Sequence, residues 1–227
     1  LGPQSPEDMI DSMPPSVPKV VIGRPVERKD VPCVYVDHYM GMRQAVRHLH
    51  QFGHTKIALA AIRGGGWPKQ CRVNGYQDET RALGIDDSEL TLIHISRASE
   101  EALVQALSEL FRHRSDVSAL IVSGLTTTMD IRALDEAGLE IPRRVSVICT
   151  DDSQEAQYHK PPMTVVRQPC EQLGHTAGEM LLDVVAGRRP QPMRLKLNCE
   201  LVPRDSVRIW NPDREADITA NLEETDE

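Results

Sequence analysis

Two acidic residues, Asp151 and Asp152, directly follow an apolar run at residues 145–149 that is typical of a buried strand. Ligands of parallel α/β sheets bind at the carboxyl ends of the strands, so a carboxylate placed there faces a crevice. Each acid could instead cap a helix or form a turn, and we expect Asp151 to contact a ligand and Asp152 to cap or turn. The chemistry is that of binding, because no GxSxG motif and no set of nucleophile, histidine and acid is recognisable.

The hydrophobic pattern switches repeatedly between the periods of strands and helices. The predicted strands are short, mostly β-branched and apolar on both faces, and they cover residues 19–22, 33–36, 56–62, 90–95, 119–122, 145–149, 164–166 and 195–201. Between them lie amphipathic helices, of which one ends at Phe52 before Gly53, one starts behind a Ser99 cap and one is closed by Gly187. Single helices between strands predict an α/β fold with parallel sheets flanked by helices.

Five segments of the sequence together give it a family resemblance. They are VDHYMGMRQAVRHLHQFGHTKIALAAI at residues 36–62, CRVNGYQDETRALGI at 71–85, ALDEAGLEIP at 133–142, IPRRVSVICTDDSQEAQYHKPPMTVVRQP at 141–169 and ELVPRDSV at 200–207. Over about residues 17–209 the chain resembles the effector-binding domain of the LacI/GalR family of bacterial transcription regulators. The resemblance implies a two-lobed, periplasmic-binding-protein-like fold in which crossing strands form a hinge.

The resemblance also implies how the chain is divided between the lobes. Residues 1–36 and 166–201 would form a partial N-terminal lobe, residues 37–165 would form the C-terminal lobe, and residues 202–210 would return to the latter. The chain would cross between the lobes near residues 36–37, 164–168 and 202–203. We expect the helix-turn-helix headpiece of the family and the opening strands of the first lobe to be missing, which leaves that lobe incomplete.

By the same resemblance, Arg72 and Asp151 correspond to an arginine and an aspartate that bind the effector. Arg72 is predicted to open a helix after the loop RGGGWPKQ, and a guanidinium can clamp hydroxyls or a carboxylate with two parallel hydrogen bonds. Alternatively, Arg72 is an ordinary surface arginine near a helix start, where its charge opposes the helix dipole.

Four further residues are candidates for ligand contact. Where the family has an Asn-Asp pair after a strand, this chain has Ser123, a glycine and, two residues on, Thr126, whose hydroxyls could bind a ligand or serve the loop and cap a helix. Gln168 follows a strand at a predicted crossing and could reach the cleft or bond the hinge backbone. Trp67 could cover a ligand or pack on Pro68. Because only 4% of the residues are aromatic, stacking of a sugar ring is less expected.

The amino-acid composition restricts which other classes of protein the chain can belong to. The 227 residues are 40% hydrophobic and 26% charged, enough to bury one large or two modest cores. No apolar run is long enough to span a bilayer, and the first residues lack the order of a secretory signal. The five cysteines are widely spaced without a CxxC pair, so we expect reduced thiols and neither a disulfide framework nor a zinc site.

Negative charge is concentrated at the C-terminal end. Residues 211–227 contain seven acids and one arginine, and so carry −6 of the formal charge of −8. We expect this acidic tail to be disordered, because it lacks apolar periodicity. Alternatively, Ile218 and Leu222, spaced i and i+4, could dock a short helix on the body. The body is nearly neutral and lacks a Lys/Arg stripe, so we do not expect it to bind DNA.

These features predict a cytoplasmic small-molecule sensor that is not an enzyme. By resemblance it is the effector-binding and dimerisation domain of a LacI-type transcriptional regulator, which would be a repressor in full length. The partners would be a sugar or related polar metabolite, a second copy of the chain, and operator DNA bound only through a headpiece absent from this chain; no cofactor and no membrane contact are expected. The alternative is an exported solute-binding protein of a transporter, which uses the same two-lobed fold.

Overall fold

A computed structural model describes residues 6–62, 66–86, 91–95, 99–123 and 125–211 of the chain. Helices and strands alternate along these ranges. In chain order they are α1 (Pro6–Ser12), β1 (Val21–Ile22), β2 (Cys33–Asp37), α2 (His38–Gln51), β3 (Ile57–Ile62), α3 (Gly66–Ala82), β4 (Thr91–Ile95), α4 (Glu100–His113), β5 (Ala119–Ser123), α5 (Thr127–Glu136), β6 (Ser146–Cys149), α6 (Gln154–Tyr158), β7 (Thr164–Arg167), α7 (Cys170–Val185), β8 (Arg194–Asn198) and β9 (Glu200–Val202). Residues 212–227 of the predicted acidic tail lie outside the described residues.

The strands form two sheets. The smaller sheet has the order β1-β2-β8 and is parallel throughout. The larger sheet has the order β4-β3-β5-β6-β7-β9, with its first five strands parallel and β9 antiparallel to β7. The predicted α/β fold with parallel sheets and flanking helices is therefore confirmed.

The larger sheet is buried on both faces, which explains why its strands read as continuous apolar runs. Successive residues of β5 enter opposite cores: Leu120 and Val122 pack with α4 and α5, whereas Ile121 packs with α2 and α3. The apolar stripes of the helices complete these cores, as Leu103 does from α4 and Leu49 from α2. The six-stranded sheet therefore provides the rigid support for residues at its strand ends.

Local sequence signals set the helix ends as predicted. The hydroxyl of Ser99 accepts a hydrogen bond from the backbone N–H of Ala102 at 3.2 Å and caps α4. After α2, Phe52 is the C-cap and Gly53 adopts a φ of +90°, a left-handed conformation that favours glycine. Gly187 has a φ of +71° and terminates α7 in the same way.

The single strand predicted at residues 195–201 is wrong. This stretch forms β8, which pairs with β2, and β9, which pairs with β7, with only Cys199 between them. The chain changes sheet at Cys199, before the crossing predicted at residues 202–203, and β9 is antiparallel because it enters the larger sheet where β7 leaves it. Residues 166–167 and 200–201, which we assigned to the first lobe, lie in strands of the larger sheet.

The predicted start of α3 is also wrong. Arg72 does not open the helix, because α3 begins at Gly66 and places Arg72 in its second turn. Pro68 lies in the first turn, where a backbone N–H has no acceptor within the helix, so the missing N–H of proline costs little. The same turn carries Trp67, which the earlier start places on a helix and not in a loop.

Hydrogen bonds of buried polar groups attach the segment after β9 to the larger sheet. The ring of His54 is fully buried between the hydroxyl of Ser118, 2.9 Å from Nδ1, and the backbone oxygen of Arg208, 3.1 Å from Nε2. Trp210 stacks on the His54 ring at 5.8 Å and donates its backbone N–H to the Phe52 oxygen at 2.7 Å. These contacts join the end of the described chain to the loop after α2.

Candidate functional site

The carboxyl ends of strands from both sheets meet beside α3. β2 of the smaller sheet leads into His38, while β5 and β7 of the larger sheet end at Ser123 and just before Gln168. Arg72 reaches this place from α3 and contacts both His38 and Ser123. Strand ends are where ligands bind in open α/β sheets, so we take this meeting point as the candidate site.

Arg72 is held by two neutral partners. Its Nη1 donates to the Ser123 hydroxyl at 3.2 Å, and its Nη2 lies 3.3 Å from Nδ1 of His38. The residue is half-buried, and this burial lowers the pKa of its guanidinium. In the part of the chain that the structure describes, no carboxylate lies within ion-pair distance of Arg72. With two hydrogen bonds and a half-buried side chain, Arg72 differs from the ordinary surface arginine of the alternative interpretation.

His38 is a site residue that the sequence analysis missed. It is buried at the first position of α2, and burial first, then the charge of Arg72, lowers the pKa of its imidazole to about 4. Because a guanidinium only donates, Nδ1 of His38 accepts from Arg72 and the proton of the neutral ring lies on Nε2. The rule of strand ends that selected Asp151 would also have found His38, which directly follows β2.

Asp151 lies in the loop after β6 and faces an open groove. Its Oδ1 accepts the backbone N–H of Asp152 at 2.9 Å, and its backbone oxygen accepts the Thr127 hydroxyl at 3.1 Å. The groove has a volume of about 820 Å³, and Asp151 shares its lining with Gln168 and other, mainly polar, side chains. Asp151 thus takes part in a turn and also presents a carboxylate to a cavity large enough for a small molecule.

Asp152 is not the cap or turn residue that we expected. Its carboxylate is only 3% exposed and is bound by Arg167 at 2.7 Å and by Arg204 at 2.8 Å. Burial alone would raise the pKa of this carboxyl, but the hydrogen bonds from the two arginines outweigh it and lower the pKa. Both partners are distant in sequence, so no local pattern indicated the pairing. The three residues join β6, β7 and β9 at the crossing between the sheets.

Ser123 and Thr126 differ in their surroundings. Ser123 is buried at the end of β5 and accepts from Arg72, whereas Thr126 is exposed and caps α5 by accepting the Met129 N–H at 3.4 Å. The capping role that we considered for Thr126 is therefore present. Of the two hydroxyls, Ser123 is the one in contact with the candidate site.

Trp67, on α3, contacts residues of β2 and α2. Its ring meets the edge of the Tyr35 ring at 5.5 Å and that of His38 at 6.2 Å. The indole is half-buried and lies over the side of the site formed by β2 and α2. These two ring contacts connect α3 to the smaller sheet and to the start of α2.

Gln168 connects two cavities. It lines the 820 Å³ groove with Asp151 and also a small cavity of about 10 Å³ with His38 and Arg72. An amide both donates and accepts, so Gln168 can hydrogen-bond a ligand in the larger groove. The two cavities place Arg72 and Asp151 on either side of one glutamine.

The described ranges also bear on metal binding and on membrane insertion. No group of histidine, cysteine and acidic side chains there could hold a metal ion. None of the helices in those ranges is both long and apolar enough to cross a bilayer.

Comparison with known proteins identifies the class. A family model described as a periplasmic binding protein-like domain matches residues 46–207. The fold and this match define a ligand-binding α/β domain of the periplasmic-binding-protein type.

Individual proteins that are similar to this chain define its class more closely. The chain is 34% identical over 193 residues to the HTH-type transcriptional regulator CelR of Thermobifida fusca, with 84% of this chain and 56% of the relative covered. A solved CelR–cellobiose complex is 31% identical with a TM-score of 0.69, covering 82% of this chain and 58% of that one. A regulatory protein of the LacI family from Chloroflexus aggregans is 26% identical with a TM-score of 0.74, covering 88% and 71%.

The chain belongs to the periplasmic binding protein-like family, and the relatives and solved structures named above are LacI-type or HTH-type transcriptional regulators. Its similarity falls on the effector-binding domain, as the sequence analysis predicted. The chain spans little more than half the length of CelR. These comparisons do not favour the alternative of an exported solute-binding protein.

Proposed function

We propose that this chain is the effector-binding and dimerisation domain of a LacI-type regulator, a repressor in full length, and that its cleft binds the effector. One observation carries the site assignment: Arg72, His38, Ser123 and Gln168 come together from four separate elements at the carboxyl ends of strands from both sheets. A set of polar groups gathered from distant positions at such a place is typical of a ligand site.

The groups in the cleft are suited to a sugar or related polar metabolite. Arg72 offers N–H donors, Asp151 offers a carboxylate acceptor at the groove, and Gln168 offers both kinds of group between them. Ser123 orients Arg72, and Trp67 covers the side of the site next to Tyr35. Thr126 stands at the exposed start of α5, where a larger ligand would reach it.

The proposed switch depends on a difference in the affinity of the effector for two arrangements of the lobes. A ligand that contacts both sheets favours the arrangement of lobes in which all of its contacts are made, and this difference in affinity is the source of energy for the switch. In a cytoplasmic homodimer, a change in lobe angle would alter the distance between two DNA-binding headpieces outside residues 1–227 and so the affinity for operator DNA. The domain binds its effector without converting it.

Calorimetric titration tests the site assignment. A thermal-shift screen of sugars and related metabolites first supplies a ligand. Arg72→Ala and Asp151→Asn should then each weaken its binding by about 1.5–3 kcal/mol, the range for a lost charge-assisted hydrogen bond. Arg189→Ala, which removes an exposed arginine after α7, is the control and should leave affinity unchanged. Unchanged affinity in both cleft variants would refute the assignment.

A further inference from the structure

The loops at the amino ends of β3, β5 and β6 bring together basic residues that are distant in sequence. These strands begin side by side, because the backbone oxygen of Lys56 accepts the N–H of Ser118 at 3.0 Å and that of Ser118 accepts the N–H of Ser146 at 3.0 Å. The basic cluster at this end comprises Lys56, Arg112, Arg114, Arg143, Arg144 and Arg208. It lies at the opposite end of the larger sheet from the cleft, which is formed at the carboxyl ends of the strands.

Hydrogen bonds to backbone oxygens hold members of the basic cluster in place. Arg144 donates to Val117 at 3.0 Å and to Ser115 at 2.7 Å, which fixes the loop before β6 against the loop before β5. Arg208 donates to Pro142 at 2.9 Å and fixes the segment after β9 against the same loop. The positive charges are therefore gathered by the fold, and no run of basic residues in the sequence reveals them.

Two acids lie within the same loops. Asp116 accepts a hydrogen bond from Arg114 at 2.8 Å, and Glu140 accepts one from Arg143 at 2.7 Å. The hydrogen bond from Arg114 and, less strongly, the charge of Lys56 lower the pKa of the Asp116 carboxyl. The six basic residues of the cluster and these two acids have a net charge of +4.

The positive charge of the basic cluster remains when the acids on the adjoining helix ends are counted. Glu109 and Glu136 are exposed on the last turns of α4 and α5, and counting both still leaves +2. Arg112 and Arg143 are exposed as well, so their charges face solvent. Like charges held close together repel one another, and an anionic segment that lies across them lowers this repulsion.

The acidic tail leaves the body of the protein beside the basic cluster. The guanidinium of Arg208 lies over the Trp210 ring, 5.0 Å from its centre, and Trp210 donates its backbone N–H to Phe52, in the loop before β3. Residues 211–227, which begin directly after this point, carry a formal charge of −6. A segment of this length extends to about 50 Å, whereas a domain of this size has a radius of gyration of about 17 Å, so reach does not limit the contact. The tether also keeps the tail near the cluster at an effective concentration of about 1 mM.

We propose that the acidic tail docks on the basic cluster of its own chain and shields the cluster from other polyanions. Opposite charge and the point at which the tail leaves the body both select this surface. The contact depends on charge and requires no fixed conformation of the tail, so it weakens with salt. Exposed ion pairs add little to the stability of a fold, so the contact is detected in spectra and in binding and not in the melting temperature.

Shielding has a consequence for a regulator that reaches DNA through a separate headpiece. An uncovered basic cluster attracts DNA phosphates without regard to sequence, and it does so at a face far from the cleft. A tail that occupies the cluster removes this competing contact. This consequence rests on the proposed function, whereas the docking of the tail does not.

Nuclear magnetic resonance tests the contact in the full chain. A neutralised-tail variant carries Glu223→Gln, Glu224→Gln, Asp226→Asn and Glu227→Gln, which change the charge of the tail from −6 to −2. At about 0.02 M salt, where the Debye length is about 20 Å, the amide signals of residues 112–116 and 142–144 should differ between this variant and the unchanged chain. At about 0.5 M salt, where the Debye length is about 4 Å, the differences should disappear. The signals of Ser123 and Gln168 in the cleft are the internal control and should agree between the two proteins.

Binding of heparin, a polyanion, tests the shielding. A tail that binds the cluster with a Kd of about 0.1 mM is about 90% docked at an effective concentration of about 1 mM, so the neutralised-tail variant should bind heparin about tenfold more tightly than the unchanged chain. Arg112→Gln with Arg143→Gln should weaken heparin binding about tenfold in the neutralised-tail variant and much less in the unchanged chain, where the tail already occupies the cluster. The control pair, Arg132→Gln with Arg188→Gln, removes two exposed arginines outside the cluster and should have the same small effect in both proteins.

Three results would overturn the inference. The first is an absence of spectral differences in the basic cluster at low salt, or differences that persist unchanged at high salt. The second is equal heparin affinity of the neutralised-tail variant and the unchanged chain, which would leave the cluster to an external polyanion. The third is an equal loss for Arg112→Gln with Arg143→Gln in both proteins, which would mean that the tail repels heparin from a distance without docking. None of these results bears on effector binding, so the proposed function is tested separately.

Discussion

Burial keeps two histidines neutral at structurally important positions. His38 stands next to Arg72 in the cleft, and His54 joins Ser118 to the backbone of Arg208. For each ring, burial is the main cause that lowers the pKa from 6.5 to about 4. Neutral rings suit both positions, because a protonated His38 would face Arg72 and a protonated His54 could not accept from Ser118.

This burial predicts that the folded chain loses stability in mild acid. The unfolded chain takes up protons on these histidines below pH 6.5, whereas the folded chain does so only near pH 4. The contribution of the two neutral histidines to the free energy of unfolding is therefore complete above pH 6.5 and decreases as the pH falls from 6.5 to 4. Urea unfolding at pH 7.5, 6.0 and 5.0 measures the decrease. His54→Gln, which keeps a donor and an acceptor but does not titrate, should show a smaller decrease. An equal decrease in the free energy of unfolding of the two proteins between pH 7.5 and 5.0 would contradict the prediction.

At the cleft, two candidate residues lie where the strand pattern predicted them, Ser123 at the end of β5 and Gln168 just after β7, whereas Arg72 was selected by the family resemblance and reaches the cleft from within α3. Arg72, Ser123 and Gln168 are at the site, and their types agree with the hydrogen bonds that they can make there. Asp152 was misjudged because its role depends on Arg204, which is 52 positions away in sequence and close only in the fold. Pairing of this kind leaves no trace in the spacing of neighbouring residues.

The packing of α2 against α3 sets the position of Arg72 relative to His38. At their closest approach Gly75 faces Tyr39, and a Cβ at residue 75 would lie 2.5 Å from the Tyr39 backbone oxygen and 3.1 Å from the Met42 Cβ. Glycine allows the two helices this close contact. The salt bridges from Arg43 to Glu79 hold the same pair of helices together.

Gly75→Ala should therefore separate α2 from α3. Since the clashing atom is backbone, the helices must shift, and we expect a loss of about 1–3 kcal/mol in the free energy of unfolding together with weaker effector binding. Gly178→Ala is the control, because a Cβ at this exposed helical position in α7 meets nothing within 4 Å. That variant should be stabilised by about 0.5–1 kcal/mol. Denaturant unfolding measures both, and equal stabilities of the two variants would contradict the argument.

Elements fixed by local signals were predictable, and those fixed by distant partners were not. The Ser99 cap and the left-handed Gly53 are encoded within a few residues and occur where expected. The split of residues 195–201 into β8 and β9 was hidden, because the strand-like pattern continues through Cys199 and only the pairing partner changes. Pro68 was misleading for another reason, since proline breaks helix interiors but is tolerated in a first turn.

The C-terminal part of the described chain closes the larger sheet. Ser206 exchanges hydrogen bonds with Val147 and accepts the backbone N–H of Thr164. Trp210 donates its backbone N–H to Phe52 and stacks on the His54 ring. Residues 211–227, which follow Trp210, carry most of the negative charge of the chain.

Removal of residues 212–227 should leave the melting temperature nearly unchanged, because the contacts of Ser206 and Trp210 are retained. Trp210→Ala is the comparison, and it should lower the melting temperature by several degrees, as a loss of about 1 kcal/mol or more does in a domain of this size. Differential scanning calorimetry of the three proteins provides the measurement. A fall of several degrees on truncation would instead support the idea that Ile218 and Leu222 dock on the body.

The crossing at Cys199 is one of three short connections between the two halves of the fold, and together they restrict how the halves can move. The other two are the connection from β2 to α2 and the connection from β7 to α7. No residue separates β2 from α2, two residues separate β7 from α7, and one separates β8 from β9. Three such short tethers resist sliding of one sheet past the other and leave rotation about a line through the crossings. If the cleft closes by such a rotation, the displacement of each residue would grow in proportion to its distance from that line.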